Sequence, residues 1–174
     1  INKFHLEKLD KNLTKKKKIL LLIGGDGRSS KVTENDIEGT VLEMNKLYKK
    51  FQIICCFSRR TSEKLKKFIR EKSNANYIFF PNKDFNPYWT LLKISDYLFV
   101  TEDSVSMTSD ALSTGKPTYM IPVKKNKKKI LTFQKKIRGE GLTKHYKKKL
   151  EVWSYQKLSE SKRICIQLQD FLVS

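Results

Sequence analysis

Short runs of consecutive apolar residues alternate along this chain with longer stretches in which apolar residues recur every three or four positions. The first run, Ile19-Leu20-Leu21-Leu22-Ile23, lies between lysines and Gly24-Gly25. An apolar run without polar alternation is the pattern of a strand buried on both faces. Thr33 is placed to cap a helix with Glu34 and Asp36 in its first turn. Ile37, Val41, Met44 and Tyr48 then recur at helical spacing to about Lys50. Gln52–Phe57 reads as a second strand, Ser58-Arg59-Arg60-Thr61 as its exit loop, and Ser62–Lys72 as a helix turning Leu65, Phe68 and Ile69 inward. A third strand, Asn76–Phe80, stops at Pro81, and Pro87 opens a helix that Trp89–Ser95 continues. Tyr97–Thr101 is a fourth strand, Ser104–Thr114 a helix ended by Gly115, and Pro117–Val123 a fifth strand. Lys129–Arg138 and Ser159–Leu172 are the remaining helices.

Short strands alternating with amphipathic helices imply right-handed crossovers and a parallel sheet. The expected fold is therefore α/β: one Rossmann-like domain over residues 1–174, with about five to six parallel strands and helices on both faces. Residues 1–17 are expected to form a polar lead-in or linker. The chain starts at Ile1 rather than Met, and reads as a fragment of a longer protein.

Composition narrows the function classes. No apolar run approaches the roughly 20 residues of a membrane span. Cys55, Cys56 and Cys165 lack metal-ligand spacing, and no other metal-ligand cluster stands out. Cys55 and Cys56 read as buried thiols, which fits a reducing, cytoplasmic setting. Net charge is +19, from 37 Lys and Arg against 18 Asp and Glu. Two readings of that excess stay open. One is the amino-acid usage of an A+T-rich genome; the other is attraction to anionic partners, including peripheral contact with an anionic membrane. The basic stretches Lys124–Lys129 and Lys144–Lys149 read as loops or helix ends. No nucleic-acid-binding signature accompanies the charge, so nucleic acid is not the expected partner. His5 and His145 stand isolated and read as surface residues, and Trp89 and Trp153 as core or rim.

In an open parallel sheet, ligands bind beyond the carboxyl ends of the strands. Three predicted loops there carry chemistry. Gly24 and Gly25 permit close backbone approach to an anion, or simply form a turn. Arg59 and Arg60 offer bidentate donors to phosphate, or a solvated turn. At Thr101–Pro117 a strand delivers the chain to a helix start capped by Asp103 or Ser104. At 100° per residue Val105, Thr108, Ala111 and Leu112 share one face, with Met107 at its margin. Ser106, Ser109, Asp110 and Ser113 share the other, where Asp110 is placed to accept hydrogen bonds from a sugar diol or to face solvent.

The run from Asp103 to Pro117, DSVSMTSDALSTGKP, strongly resembles the mitochondrial-fission (elongated-mitochondria) family of plants and its bacterial homologues. Gly24-Gly25, Ser58-Arg59-Arg60-Thr61, Asn86-Pro87-Tyr88, Phe133, Gly141 and Trp153-x-Tyr155 match in order. The family usually carries Glu where Asp110 stands here. The resemblance implies one half of a GT-B fold, the C-terminal, nucleotide-sugar-side half of a two-domain protein. The same segment is similar to donor-side motifs of the transferase that makes lipid II and of non-hydrolysing UDP-sugar 2-epimerases. By that resemblance the ligand is a nucleotide-diphosphate sugar, no cofactor is needed, and the full-length protein carries out metal-independent glycosyl transfer. Gly24, Gly25, Arg59, Arg60, Ser104 and Ser106 would line the phosphate end, with Asp110 near a diol and Asp103 and Met107 also in the binding site. Catalytic residues are expected from the absent N-terminal domain, leaving this fragment inactive alone. A lipid-linked acceptor would place such an enzyme peripheral to the inner membrane; the alternatives are a non-catalytic fission-type adaptor or interaction protein on the same scaffold, and a nucleotide-sugar epimerase. Against the last, Val105-Ser106 stands where epimerases carry two glycines.

Overall fold

The computed structural model describes residues 13–28, 30–74, 77–81 and 85–157. Along them run β1 (Lys17–Ile23), β2 (Ser30–Lys31), α1 (Glu34–Leu47), β3 (Phe51–Phe57), α2 (Glu63–Lys72), β4 (Ile78–Phe80) and α3 (Tyr88–Ile94). There follow β5 (Tyr97–Thr101), α4 (Val105–Ser113), β6 (Thr118–Ile121), β7 (Lys125–Asn126), α5 (Lys128–Gly139) and β8 (Lys144–His145). Six strands form one sheet in the order β4-β3-β1-β5-β6-β8, and every neighbouring pair is parallel. Numbered along the chain within that sheet, the order is 3-2-1-4-5-6, which is that of the doubly wound fold.

The apolar run predicted as the first strand is the sheet's centre. Ile19 through Ile23 are all fully buried, between β3 and β5. Each such side chain contributes roughly 1.5–3 kcal/mol on leaving water. Alternate residues face opposite ways. Ile19, Leu21 and Ile23 pack with Ile37, Val41 and Met44 of α1 and with Leu65 and Ile69 of α2. Leu20 and Leu22 pack with Leu91 and Leu92 of α3 and Ala111 of α4. A third cluster joins Leu112 of α4 to Phe133 and Ile137 of α5. Cys55 and Cys56 are buried free thiols, and burial pushes the Cys56 pKa up to about 12. Phe68 is only half-buried at the edge of its cluster.

Thr33 stands at the start of α1 as predicted, and Ser62, expected as the first helical residue, is instead the N-cap of α2. The Thr33 backbone N–H donates to Asp36 Oδ2 at 2.8 Å, and the Ser62 hydroxyl accepts from the Leu65 amide at 3.2 Å. Two basic stretches depart from expectation. Lys144–His145 is a sixth sheet strand beside β6, and Lys125–Asn126 pairs antiparallel with Ser30–Lys31, where loops or helix ends were expected. Two-residue strands are too short for any periodicity to signal. The expected helix Ser159–Leu172, Asn76, Cys165 and His5 lie outside the described residues.

Candidate functional site at the strand carboxyl ends

Strand order reverses between β1 and β5, because α1 and α2 lie on one face and α3 and α4 on the other. Loops leaving two strands at such a reversal diverge and open a crevice. Gly24 and Gly25 leave β1 here, and Glu102, Asp103 and Ser104 leave β5.

The crevice floor is closed by an internal carboxylate. Asp103, with a fully buried side chain, accepts from the Thr101 hydroxyl at 2.5 Å and from the Gly25 amide at 3.1 Å. The Gly24 amide donates to Thr101 Oγ1 at 2.8 Å. The Arg60 guanidinium stands 3.8 Å from Asp103 Oδ2. Burial raises the Asp103 pKa, opposed by the Thr101 and Gly25 hydrogen bonds and then by Arg60. Both glycines are required by close approach. A Cβ on Gly24 would fall 2.1 Å from the Asp103 carboxylate, and one on Gly25 would fall 2.0 Å from the Arg60 carbonyl oxygen. The Asp26 amide donates to that same carbonyl at 3.1 Å. Gly24, Gly25, Arg60 and Asp103 are thus brought together, with the two glycine amides turned inward to protein acceptors.

Ser104 is the N-cap of α4, its hydroxyl accepting from the Met107 amide at 3.3 Å. The Thr108 amide donates to the Ser104 carbonyl. Val105 and Ser106, in the first turn, have no intrahelical acceptor for their amides. Ser106 is exposed, and Met107 is half-buried against the cluster on the α3 face. Arg59 and Arg60 are exposed in a loop pinned by Thr61, whose hydroxyl lies 2.7 Å from the Gly24 carbonyl.

The expected solvent-facing stripe of α4 is corrected at two positions. Ser109 is fully buried and Asp110 is 8% exposed. A single-helix projection does not show that α5 packs on α4 and that α3 reaches over it. Asp110 Oδ2 accepts from the Tyr88 hydroxyl at 3.1 Å. Burial, and then Asp110, push the Tyr88 pKa up.

The grouping of other residues carries no signal in the sequence. Glu102 is buried, with Arg138 Nη1 at 3.0 Å and His145 Nε2 at 3.7 Å from its Oε1. Burial and Arg138 hold the His145 pKa below its usual value, with Glu102 opposing. No local pattern links positions so far apart. Trp89 is 55% exposed, packed edge-on against Tyr88 with ring centroids 5.4 Å apart. Its place at the start of the Pro87 helix was the one available signal. Among the described residues, no three His, Cys, Asp or Glu side chains could hold a metal ion, and no helix is long and apolar enough to cross a membrane.

The sheet order, and a capped helix start at its reversal, define a Rossmann-like domain. Solved structures share the fold. UDP-GlcNAc 2-epimerase from Neisseria meningitidis bound to UDP-GlcNAc matches with a TM-score of 0.56 at 17% identity, over 99% of this chain and 40% of that one. The S. aureus MnaA–UDP complex matches with a TM-score of 0.50 at 17% identity, over 95% and 48%. The chain belongs to the mitochondrial fission ELM1 family, whose model matches residues 2–172. An uncharacterized protein of Rickettsia prowazekii is 31% identical over 154 residues, which is 83% of this chain and 44% of that protein. Mitochondrial fission protein ELM1 of Arabidopsis thaliana is 34% identical over 109 residues, covering 60% and 26%. The chain spans less than half the length of these curated relatives.

Proposed function

We propose that this domain is the donor-side half of a two-domain GT-B-like protein and binds a nucleotide-diphosphate sugar. The observation that carries the reading is the start of α4. Its first-turn amides lie at the reversal of strand order, and Arg60, exposed on the neighbouring loop with Arg59, stands 3.8 Å from Asp103 just before that helix. Helix-end amides and guanidinium groups together suit a diphosphate. Ser104, Ser106 and Met107 would border it, and Asp110, steadied by Tyr88, would lie one turn behind. Gly24 and Gly25 would act by fixing Arg60 and Asp103 rather than through their own amides, which are already engaged. In glycosyl transfer these groups would stabilise the departing diphosphate without a metal. A general base would come from the second domain, so the isolated domain would bind without turning over. The epimerase alternative has less support, since side chains at Val105 and Ser106 restrict backbone approach.

One observation favours a second reading, a non-catalytic interaction module on the same scaffold. Asp103 places a carboxylate against the Gly25 amide, where a ligand anion would otherwise be held. Similarity to the plant fission protein points the same way. Calorimetric titration with UDP-, GDP- and CMP-sugars separates the two. The donor reading expects heat from one of these sugars and its loss in Ser104→Trp. Absence of heat with all three would leave the interaction module.

A further inference from the structure

On the sheet face covered by α1, away from α4, lies a pocket of about 360 Å³. It opens between α1 and the segment that follows β8. Tyr146 contributes aromatic surface to it, its ring packed edge to face on the buried Phe99 with centroids 5.3 Å apart. Gly39 and Thr40, in the middle of α1, form the opposite wall. A mid-helix glycine costs about 0.5–1 kcal/mol relative to alanine. Packing among the described residues does not call for that cost: a Cβ on Gly39 would meet nothing within 4 Å. The helix is therefore weakened where it borders an open pocket, and the missing side chain leaves room for an occupant.

The polar groups around the pocket specify its chemistry. Asp36 has both oxygens engaged, by Thr33 and by the Lys124 amide, and serves as fixed wall. Glu43 has Oε1 held by Lys46 at 2.6 Å. Asn35, Thr40 and Tyr146 add amide and hydroxyl groups that both donate and accept. Lys148 also lines the pocket and Lys46 pairs with Glu43, so neither sign dominates, while His145 turns its Nε2 to Glu102 at 3.7 Å. A balanced set of donors and acceptors beside an aromatic ring suits an uncharged ring bearing several hydroxyls. Its C–H face would lie on Tyr146, the half-buried ring, with Phe99 buried behind it. The carboxylates disfavour phosphate, which sets this pocket apart from the α4 crevice.

We propose that this pocket is a second binding site, for an uncharged pyranose or a similar polyhydroxylated ring. The proposal does not depend on the donor reading. Backbone amide NMR of the 174-residue chain, titrated with methyl glucoside, N-acetylglucosamine and inorganic phosphate, tests it. A pyranose is expected to shift the Gly39, Thr40 and Tyr146 amides, and phosphate to leave them in place. Gly39→Ala, adding one methyl to open space, should retain those shifts. Gly39→Phe, with its fold checked by circular dichroism, should lose them. Asn35→Ala, an exposed change that leaves the core intact, should weaken binding about fivefold through one lost hydrogen bond. Silence of those amides with both sugars would overturn the proposal, as would shifts unaltered in Gly39→Phe and Asn35→Ala, or equal shifts with phosphate. Nucleotide-sugar heats are expected to be unchanged in these variants, so the two readings fail separately.

Discussion

Asp103 shows how one side chain can organise three loops. Its carboxylate ties the end of β5 to the loop after β1 through Gly25 and faces Arg60 from the loop after β3. The cost is a buried negative charge, and its raised pKa records that cost. The native state therefore holds the proton more tightly than the unfolded chain. The contribution of Asp103 to stability is fully present below the ordinary carboxylate pKa, and is lost as pH rises through the raised native value. Asp103→Asn is expected to remove that loss while keeping one carbonyl acceptor. Asp103→Ala should cost about 1–3 kcal/mol by stranding the Gly25 amide and the Thr101 hydroxyl. Urea unfolding of both variants and the parent, repeated across the acid range, measures these effects; equal slopes in parent and Asp103→Asn would refute the assignment. Asp103 and the glycines were visible in the sequence as loop residues after strands. That they would meet each other was not, because 78 positions separate Gly25 from Asp103.

Among the elements, the caps were legible because they are local. Thr33 and Asp36 are three residues apart and find each other at the start of α1. Asp36 also accepts from the Lys124 amide at 3.1 Å, which ties the helix to the loop after β6. Asp36→Ala should therefore cost about 1–2 kcal/mol, at the upper end for a cap. Thermal unfolding would read it, and a change under about 0.3 kcal/mol would show that the cap carries little. α4 was legible in extent but not in exposure. Its apolar stripe predicts one buried face, yet Ser109 and Asp110 on the other face are buried too. A helix enclosed by the sheet, α3 and α5 is buried on more sides than its own periodicity can announce. β7 and β8 were not legible, because pairing to a neighbour, not residue pattern, makes a two-residue segment a strand.

Across the whole molecule, charge is the dominant long-range feature. Between Lys124 and Lys149 twelve lysines and arginines accompany one acid, Glu140. The fold adds Lys31 directly opposite Lys125 across the β2–β7 pair. Like charges so placed repel, and net charge far from zero works against the compact state. Raising ionic strength from about 0.01 to 0.15 M shortens the Debye length from about 30 to about 8 Å. Tm is expected to rise by a few degrees over that range. An unchanged or falling Tm in differential scanning fluorimetry would show that this repulsion is already neutralised.

The sequence by itself determined the alternation of strands and helices, hence the parallel α/β sheet, the doubly buried strand Ile19–Ile23 and the loops that line the sheet's carboxyl edge. Those features arise from apolar spacing and capping, which act over a few residues. Tertiary structure alone decided where the polar groups point. It turned the glycine amides toward Asp103 and Thr101, set Tyr88 on Asp110, gathered Arg138 and His145 about Glu102, and opened the pocket beside Gly39. Each depends on segments far apart in the chain meeting at fixed distances, and only the closed packing of the sheet against its helices sets those distances.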